Sequence, residues 1–188
     1  MQLDIVVVGE LENNVYILSR SGRDDAVIVD PGDEGERIKA ALKGKKVAAI
    51  LLTHGHWDHT GALADFPGVP IYMHERDKAM LDNDFLGYAA LANQKPRPKP
   101  TDFVSEGQVL ELAGLSIEVL HTPGHSQGSV CYKIGNTLLT GDTLFLNDYG
   151  RTDLPGGSQM QMRESLRRLF SLHGVSYYPG HGPGGVIK

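Results

Sequence analysis

The sequence predicts an α/β fold of one domain, residues 1–188, with a functional site along one edge of its strands. Short apolar runs of strand length alternate with segments of helical periodicity, which is typical of α/β proteins. Four of these runs, at 47–52, 115–120, 137–139 and 175–178, end in a Gly-containing loop that bears His or Asp. Ligands of open α/β sheets collect outside the carboxyl ends of the strands. We therefore expect the four loops to converge.

The first half of the chain is predicted to begin with two antiparallel strands joined by the turn-prone residues 10–14. A β-branched run follows and ends in a turn at 30–33, which leaves Asp30 at the strand tip. The next segment has an apolar helical face, and Gly44 stands where a C-terminal cap belongs. Strands are predicted at 3–8, 15–18, 26–29, 47–52 and 69–73, together with a helix at 34–43, a short helix in 60–66, and one or two helices over 74–91.

The second half is predicted to contain two β-hairpins, with turns at 113–114 and 135–136. Ser158 and Gln161 have the spacing of a capping box, and the apolar residues that follow fall on one helical face. This indicates a helix near the end of the chain. The predicted strands of this half are 108–112, 115–120, 129–134, 137–139 and 175–178.

The composition argues against several classes of partner. Asp and Glu number 23 against 18 Lys and Arg, a formal net charge of −5, and phosphate binding needs concentrated basic residues. We therefore predict no nucleic-acid partner. No segment resembles a membrane span or a signal peptide, so we predict no membrane partner and a cytoplasmic location. The lone Cys131 is expected in the core, and the proline-interrupted basic run 95–100 is expected to be an exposed connector.

The densest chemical pattern is His54-Gly55-His56-Trp57-Asp58-His59, directly after the apolar run 47–52. Three imidazoles and one carboxylate in six residues indicate a metal site, because these groups are ligands of zinc, iron and similar divalent ions. Gly55 allows the backbone to fold tightly enough to aim two histidines at one ion. A lone histidine would more readily be a hydrogen-bonded core residue, but this spacing at a strand exit favours metal binding.

Seven residues are candidate ligands, too many for one tetrahedral ion. Catalytic zinc keeps three protein ligands and an open position, so seven divide into two sets of three and one shared carboxylate. Two ions about 3.5–4 Å apart would lower the pKa of a bound water from 15.7 to about 7 and polarise a carbonyl. This predicts hydrolysis of an acyl compound by a metal-bound hydroxide, without a Ser or Cys nucleophile. The seven candidates are His54, His56, Asp58, His59, His125, Asp142 and His181.

The motifs and their order resemble the metallo-β-lactamase superfamily. The resemblance is carried by His-x-His-x-Asp-His at 54–59, Thr-Pro-Gly-His-Ser at 122–126, Thr-Gly-Asp at 140–142 and Pro-Gly-His-Gly at 179–182. It implies a four-layer αββα sandwich, with two mixed sheets face to face and helices outside. It also implies the ligand roles: a first metal on His54, His56 and His125, a second on Asp58, His59 and His181, Asp142 as the bridge, and Asp30 as an outer residue that orients a ligand.

Within this superfamily, residues 141–145 and 150–157 resemble compact glyoxalase II-like proteins, which are hydroxyacylglutathione hydrolases. The resemblance implies a small-molecule thioester substrate, two divalent ions with zinc as first choice and iron or manganese as alternatives, and Asp58 as the catalytic carboxylate. Arg151 and Tyr149 are candidate substrate-binding residues. The classical enzymes continue into a helical substrate domain after the last histidine. Only residues 182–188 follow here, so the thiol carrier and the acyl group stay open, as does the oligomeric state.

Three alternatives remain. A persulfide dioxygenase of the same superfamily would use one non-haem iron, held here by two histidines and a carboxylate, His54, His125 and Asp142. A nuclease of the RNA-processing branch is disfavoured by the acidic net charge. A metal-sequestering or scaffold protein has no sequence feature in its favour.

Overall fold

The computed structural model describes residues 1–82 and 95–188, which form two six-stranded sheets. In the first sheet the strands lie in chain order. β1 to β3 pair antiparallel and β3 to β6 pair parallel, so the sheet is mixed. Its strands are β1 (Gln2–Val8), β2 (Asn13–Ser19), β3 (Asp25–Val29), β4 (Lys46–Leu51), β5 (Ile71–His74) and β6 (Asp102–Val104).

The second sheet is also mixed, and its strands also lie in chain order. β7 to β10 pair antiparallel, β10 pairs parallel with β11, and β11 pairs antiparallel with β12. Its strands are β7 (Val109–Leu112), β8 (Leu115–His121), β9 (Val130–Ile134), β10 (Thr137–Gly141), β11 (Ser176–Pro179) and β12 (Gly185–Val186).

The described residues contain four α-helices and two short 3₁₀ turns. Ser158 caps the longest helix, since its side chain accepts a hydrogen bond from the backbone N–H of Gln161, as the capping-box spacing predicts. The helices are α1 (Gly35–Ala41), α2 (Trp57–Thr60), α3 (Lys78–Asp82) and α4 (Gln159–Phe170), and the 3₁₀ turns are Leu63–Asp65 and Glu75–Asp77.

Alternating side chains build the layers. Along β2, Val15 and Ile17 pack in a cluster with Ile38 of α1, whereas Tyr16 and Leu18 pack against residues of the second sheet. Successive side chains of a strand point to opposite faces, so an apolar strand buried on both faces serves two cores at once. A third cluster joins the outer face of the second sheet to α4. The result is the predicted four-layer αββα sandwich, which is confirmed.

The structure corrects some element predictions. The segment 74–91 was expected to be helical from its start, but His74 is the last residue of β5. The part of this segment beyond Asp82 lies outside the described residues. The short edge strands β6 and β12 were not predicted, because three and two residues give no readable alternation. No helix among residues 1–82 and 95–188 is long and apolar enough to cross a membrane.

Candidate metal centre

The four predicted loops converge at one edge of the sandwich. They follow β4 of the first sheet and β8, β10 and β11 of the second. β10 and β11 are parallel neighbours, so their loops leave the sheet at the same edge. Backbone hydrogen bonds tie the loops together: the N–H of Val130 donates to the carbonyl of Thr53 at 2.8 Å, and the N–H of Gly180 donates to the carbonyl of Gly141 at 2.8 Å. The loops therefore present their ligand-type side chains from both sheets to one place.

His54, His56 and His125 form the first group of ligand-type side chains. One ring nitrogen from each lies within 4.8 Å of the others, a spacing that one metal ion could fill. Nε2 of His125 and Nδ1 of His56 are 2.8 Å apart. Nε2 of His54 is buried and has no hydrogen-bond partner. Imidazole nitrogens that face one another in this way are suited to share a cation.

Asp58, His59 and His181 form the second group. Nε2 of His181 lies 3.2 Å from Oδ2 of Asp58 and 3.2 Å from Nε2 of His59. Nε2 of His59 lies 3.6 Å from the same Asp58 oxygen. Two imidazoles and one carboxylate around one point are a common ligand set of catalytic divalent ions.

Asp142 lies between the two groups, and each of its oxygens faces one of them. Oδ2 is 3.5 Å from Nε2 of His125 in the first group. Oδ1 is 3.3 Å from Nε2 of His59 and 3.7 Å from Nε2 of His181 in the second. This is the arrangement of a carboxylate that could bridge two ions, the role implied for Asp142 by the resemblance.

The donor set fits two cations. Among the described residues, four buried polar side-chain atoms lack a hydrogen-bond partner, and two of them are Nε2 of His54 and Oδ1 of Asp142. An orphaned buried polar atom costs about 1–3 kcal/mol. A bound ion at each position would satisfy both atoms. The residues predicted from the sequence therefore meet the first requirement of a binuclear site.

Asp30 supports both groups from outside. Its Oδ2 lies 3.0 Å from Nδ1 of His59, and its two oxygens accept hydrogen bonds from the backbone N–H (2.7 Å) and hydroxyl (2.6 Å) of Thr53. The Thr53 hydroxyl is also 3.0 Å from Nδ1 of His54. Asp30, His54 and His59 could formally hold an ion as well. These hydrogen bonds already occupy the Asp30 oxygens, which favours the predicted orienting role.

Backbone carbonyls orient two further histidines. Nδ1 of His125 lies 2.8 Å from the carbonyl oxygen of Arg151, and Nδ1 of His181 lies 2.8 Å from that of Leu11. A carbonyl only accepts, so each Nδ1 donates to it and Nε2 is the nitrogen left for a cation. Both Nε2 atoms thus face the site ready to bind a cation.

The electrostatics of the two groups differ. Burial, reinforced by neighbouring histidines, lowers the pKa of His54 and brings the pKa of His56 to about 4, so both rings are neutral at pH 7. Burial opposes charge on Asp142 too, but the surrounding histidines, His59 first, outweigh it and hold the pKa of this carboxyl well below its usual range. At His59, the carboxylates outweigh burial and raise the pKa. Neutral rings and ionised carboxylates are the forms that bind metals.

Two glycines allow the loops to approach each other. A Cβ at Gly180 would collide with Oδ1 of Asp142 and lie 2.6 Å from Cε1 of His59. Gly141 has a φ of +48°, in the left-handed region, and a Cβ there would collide with the Thr53 hydroxyl. The Gly residues beside the ligands are therefore required by the close approach of the second-sheet loops to the first-sheet loop.

Asp77 is a buried acid that the sequence analysis missed. It belongs to the 3₁₀ turn after β5, has no solvent exposure, and its carboxylate accepts hydrogen bonds from Gly55, Ser126 and Gly128. Burial raises the pKa of Asp77 against these donors. No local motif surrounds it in the sequence. The one available signal was the position of this acid near the start of the helix predicted over 74–91. In the structure the residue belongs to a 3₁₀ turn instead.

A cavity of about 360 Å³ opens beside the candidate metal ligands. Arg151 lies in its wall, and its guanidinium donates two hydrogen bonds to the Asp153 carboxylate, each of 2.8 Å. Tyr149 does not line this cavity. It lines a neighbouring, larger cavity of about 680 Å³, and Phe145 contributes to both. The other lining residues of the metal-side cavity are Leu11, His56, Trp57, Asp58, His125, Asp142, Gly150, Leu154 and His181.

Two curated relatives show what the chain is similar to. A probable metallo-hydrolase of Bacillus subtilis, YqgX, is 38% identical over 187 residues, covering 94% of this chain and 88% of the relative. The hydroxyacylglutathione hydrolase GloC of Haemophilus influenzae is 32% identical over 194 residues, covering 97% of this chain and 91% of the relative. Both similarities extend over nearly the whole chain.

Two solved structures have the same fold. TTHA1623 in a di-iron-bound form is 36% identical with a TM-score of 0.88, and the match covers 98% of this chain and 94% of that one. ETHE1 from Myxococcus xanthus is 25% identical with a TM-score of 0.81, covering 100% and 80%. The di-iron form and the His/Asp groups together support the use of divalent metal ions. The family model of the metallo-beta-lactamase superfamily matches residues 8–181, and the chain therefore belongs to that superfamily.

Proposed function

We propose that the protein is a metal-dependent thioester hydrolase of the hydroxyacylglutathione hydrolase type, with two divalent ions and zinc as the first choice. The observation that carries the proposal is the position of Asp142, whose two carboxylate oxygens each face one group of three ligand-type residues. The similarity to GloC of Haemophilus influenzae supports the thioester class. We further propose that the substrate is a small molecule, since the metal-side cavity is of small-molecule size.

Each group of side chains has a definite task in this proposal. His54, His56 and His125 would hold one ion, Asp58, His59 and His181 the other, and Asp142 would contact both. When bound, such a pair lowers the pKa of water to about 7 and polarises a carbonyl. The Asp58 carboxylate is ionised, because the His59 and His181 rings outweigh the effect of burial and lower its pKa. An ionised carboxylate is the form that can help to hold the second ion and accept a hydrogen bond from a water.

The cavity provides the surface that would orient the acyl group. Leu11, Trp57, Phe145 and Leu154 line it with apolar side chains, and Arg151 adds a cation to its wall. Apolar walls exclude bulk water and so strengthen the electrostatic interactions of the carboxylates inside. Arg151 is proposed to pair with an anionic part of the thiol carrier, by exchange with its present partner Asp153.

Turnover of S-lactoylglutathione by protein of measured metal content tests the proposal. We expect free thiol to be released in proportion to metal content, and His56→Ala to abolish most of this turnover. A panel of lactones and β-lactams determines how far the activity extends, because a shared water-activating centre does not choose among acyl compounds. Metal-loaded protein that cleaves no thioester in this assay would refute the proposal.

A persulfide dioxygenase is the second candidate, and the structural similarity to ETHE1 from Myxococcus xanthus favours it. Both candidates would use residues of the same site, so they are separated by metal content and by reaction. One iron per chain with oxygen consumption on glutathione persulfide, and no thioester cleavage, would select the dioxygenase. Two ions per chain with thioester cleavage and no oxygen consumption would select the hydrolase.

A further inference from the structure

We propose that Asp77 is a positioning residue that holds the loop of His54 and His56 in a fixed place relative to the loop of His125. The inference rests on the proposed metal-binding role of these histidines. Asp77 is not itself a candidate ligand, and it lies in the 3₁₀ turn that follows β5, on a different segment from either loop.

The Asp77 carboxylate bonds to both loops at once. Its Oδ2 accepts a hydrogen bond from the backbone N–H of Gly55 at 3.0 Å and one from the hydroxyl of Ser126 at 2.6 Å. Its Oδ1 accepts one from the backbone N–H of Gly128 at 2.6 Å. Gly55 stands between His54 and His56 in the sequence, and Ser126 directly follows His125. One side chain therefore connects the positions adjacent to all three ligands of the first group.

The two glycines supply independent support. A Cβ at Gly55 would lie 2.9 Å from the carbonyl oxygen of Asp77, and a Cβ at Gly128 would lie 2.6 Å from its Cγ and Oδ1. Real Cβ contacts are not this short. The backbone N–H groups of these two residues can therefore reach Asp77 only because both residues are glycine. The middle residue of His-Gly-His is thus explained by the approach of Asp77 as well as by the turn itself.

The chemistry of a carboxylate suits this task. An ionised Asp only accepts hydrogen bonds, so it can satisfy three donors that point at it from two loops. In Asn, one of the two oxygens becomes an NH₂ donor and would face an N–H or O–H donor. The carboxylate is fully buried, so water cannot take the place of a lost hydrogen bond. Substitution should therefore release one loop from the other with little change in side-chain volume.

The test measures metal affinity of the folded protein, apart from activity. Zinc affinity is determined for the wild type, Asp77→Asn and the control Glu75→Gln by competition with a chromogenic chelator. Glu75 belongs to the same 3₁₀ turn and is exposed. Removal of an outer partner of metal ligands costs about 10- to 100-fold in affinity. We expect a loss in that range for Asp77→Asn, affinity within twofold of wild type for Glu75→Gln, and a fall in kcat at saturating zinc with KM nearly unchanged.

A purely structural role gives a different result. In that case Asp77→Asn would unfold at a lower temperature, but the folded protein would bind zinc with wild-type affinity, and this outcome overturns the proposal. Should Asp77→Asn fail to fold, Ser126→Ala removes the hydroxyl donor to Asp77, together with its contact to the Ser129 hydroxyl. This variant is expected to lower zinc affinity severalfold, and unchanged affinity would again overturn the proposal. Wild-type protein that binds zinc but cleaves no thioester would refute the proposed function alone, since the chelator assay requires no substrate.

Discussion

Asp142 is the residue on which both candidate metal positions depend. Its carboxylate lies between the two groups, with one oxygen 3.5 Å from His125 and the other 3.3 Å from His59. His56 and Asp58, by contrast, each belong to one group. Substitutions at these three positions should therefore have separable effects.

We predict that His56→Ala empties the first metal position, Asp58→Ala weakens the second, and Asp142→Ala damages both. The reason is that a catalytic site with three protein ligands per ion keeps little affinity once one ligand is lost. Metal content per chain after gel filtration, measured by mass spectrometry, checks this prediction. Equal and full occupancy in all three variants would contradict the proposed ligand roles.

Asp30 should affect the metal from the outside. Asp30→Asn is expected to lower affinity at the second position by about 10- to 100-fold, because the amide that replaces the carboxylate no longer orients Nδ1 of His59 with the same strength. Chelator competition measures the effect. Asp33→Asn is the matched control, since the Asp33 carboxylate accepts a hydrogen bond from the adjacent Glu34 N–H. Equal affinities of the two variants would show that Asp30 has no orienting role.

At the scale of elements, the candidate site depends on the loops that follow the carboxyl ends of the strands. Gly180 directly follows β11 and precedes His181, and it lies against Asp142 and His59. Gly182, on the other side of His181, has no atom within 4 Å of the position of a Cβ. An alanine at position 180 thus tests the effect of crowding the site, whereas an alanine at position 182 tests only the effect on the loop backbone.

We predict that Gly180→Ala reduces metal content and activity by at least tenfold, because the new methyl group must displace Asp142 or His59. Gly182→Ala should keep its metal but lose about 1–2 kcal/mol of unfolding free energy, since Gly182 has a left-handed φ of +70°. Metal analysis and chemical denaturation of both variants provide the measurements. A Gly180→Ala protein with normal metal content would rule out the crowding described here.

Elements with a clear period were predictable, and those fixed by distant contacts were not. The apolar run 15–18 predicts the strand β2, and its side chains pack alternately into the two clusters on either face of the first sheet. The helical expectation for His74 was wrong because pairing with β6 extends β5 to that residue. β6 itself has three residues and is defined by its neighbour rather than by its own pattern.

The candidate site shows the same division. The motifs placed all seven ligand-type residues, and the structure brings them together, because each motif includes the chain turn that aims its side chain. Asp77 escaped notice, since its partners are two backbone amides and a hydroxyl located 22 to 51 residues away. Tyr149 was a candidate substrate-binding residue, and the structure places it in the wall of the neighbouring cavity rather than the metal-side cavity.

At the scale of the whole molecule, each candidate metal position connects the two sheets. The first group takes His54 and His56 from the loop after β4 and His125 from the loop after β8. The second takes Asp58 and His59 from the former loop and His181 from the loop after β11. Bound ions would therefore cross-link the inner edges of both sheets.

We predict that a strong chelator lowers the melting temperature of the protein. A ligand present at 1,000 times its Kd stabilises the folded state by about 4.1 kcal/mol, and removal of the metal forfeits this amount. Thermal unfolding with and without chelator, followed by circular dichroism, measures the shift. Asp142→Ala should respond less, because it holds less metal at the start. An identical melting temperature in both conditions would contradict metal binding across the two sheets.

The order of the strands carries one more consequence. All strands of the first sheet precede residue 105 and all strands of the second follow residue 108, so the described chain passes between the sheets at a single tight turn. A gene divided within that turn would encode two polypeptides, neither of which owns a full ligand set. Reassembly of the two polypeptides would restore both groups of ligand-type residues, and zinc binding would then report that the fragments had reassembled.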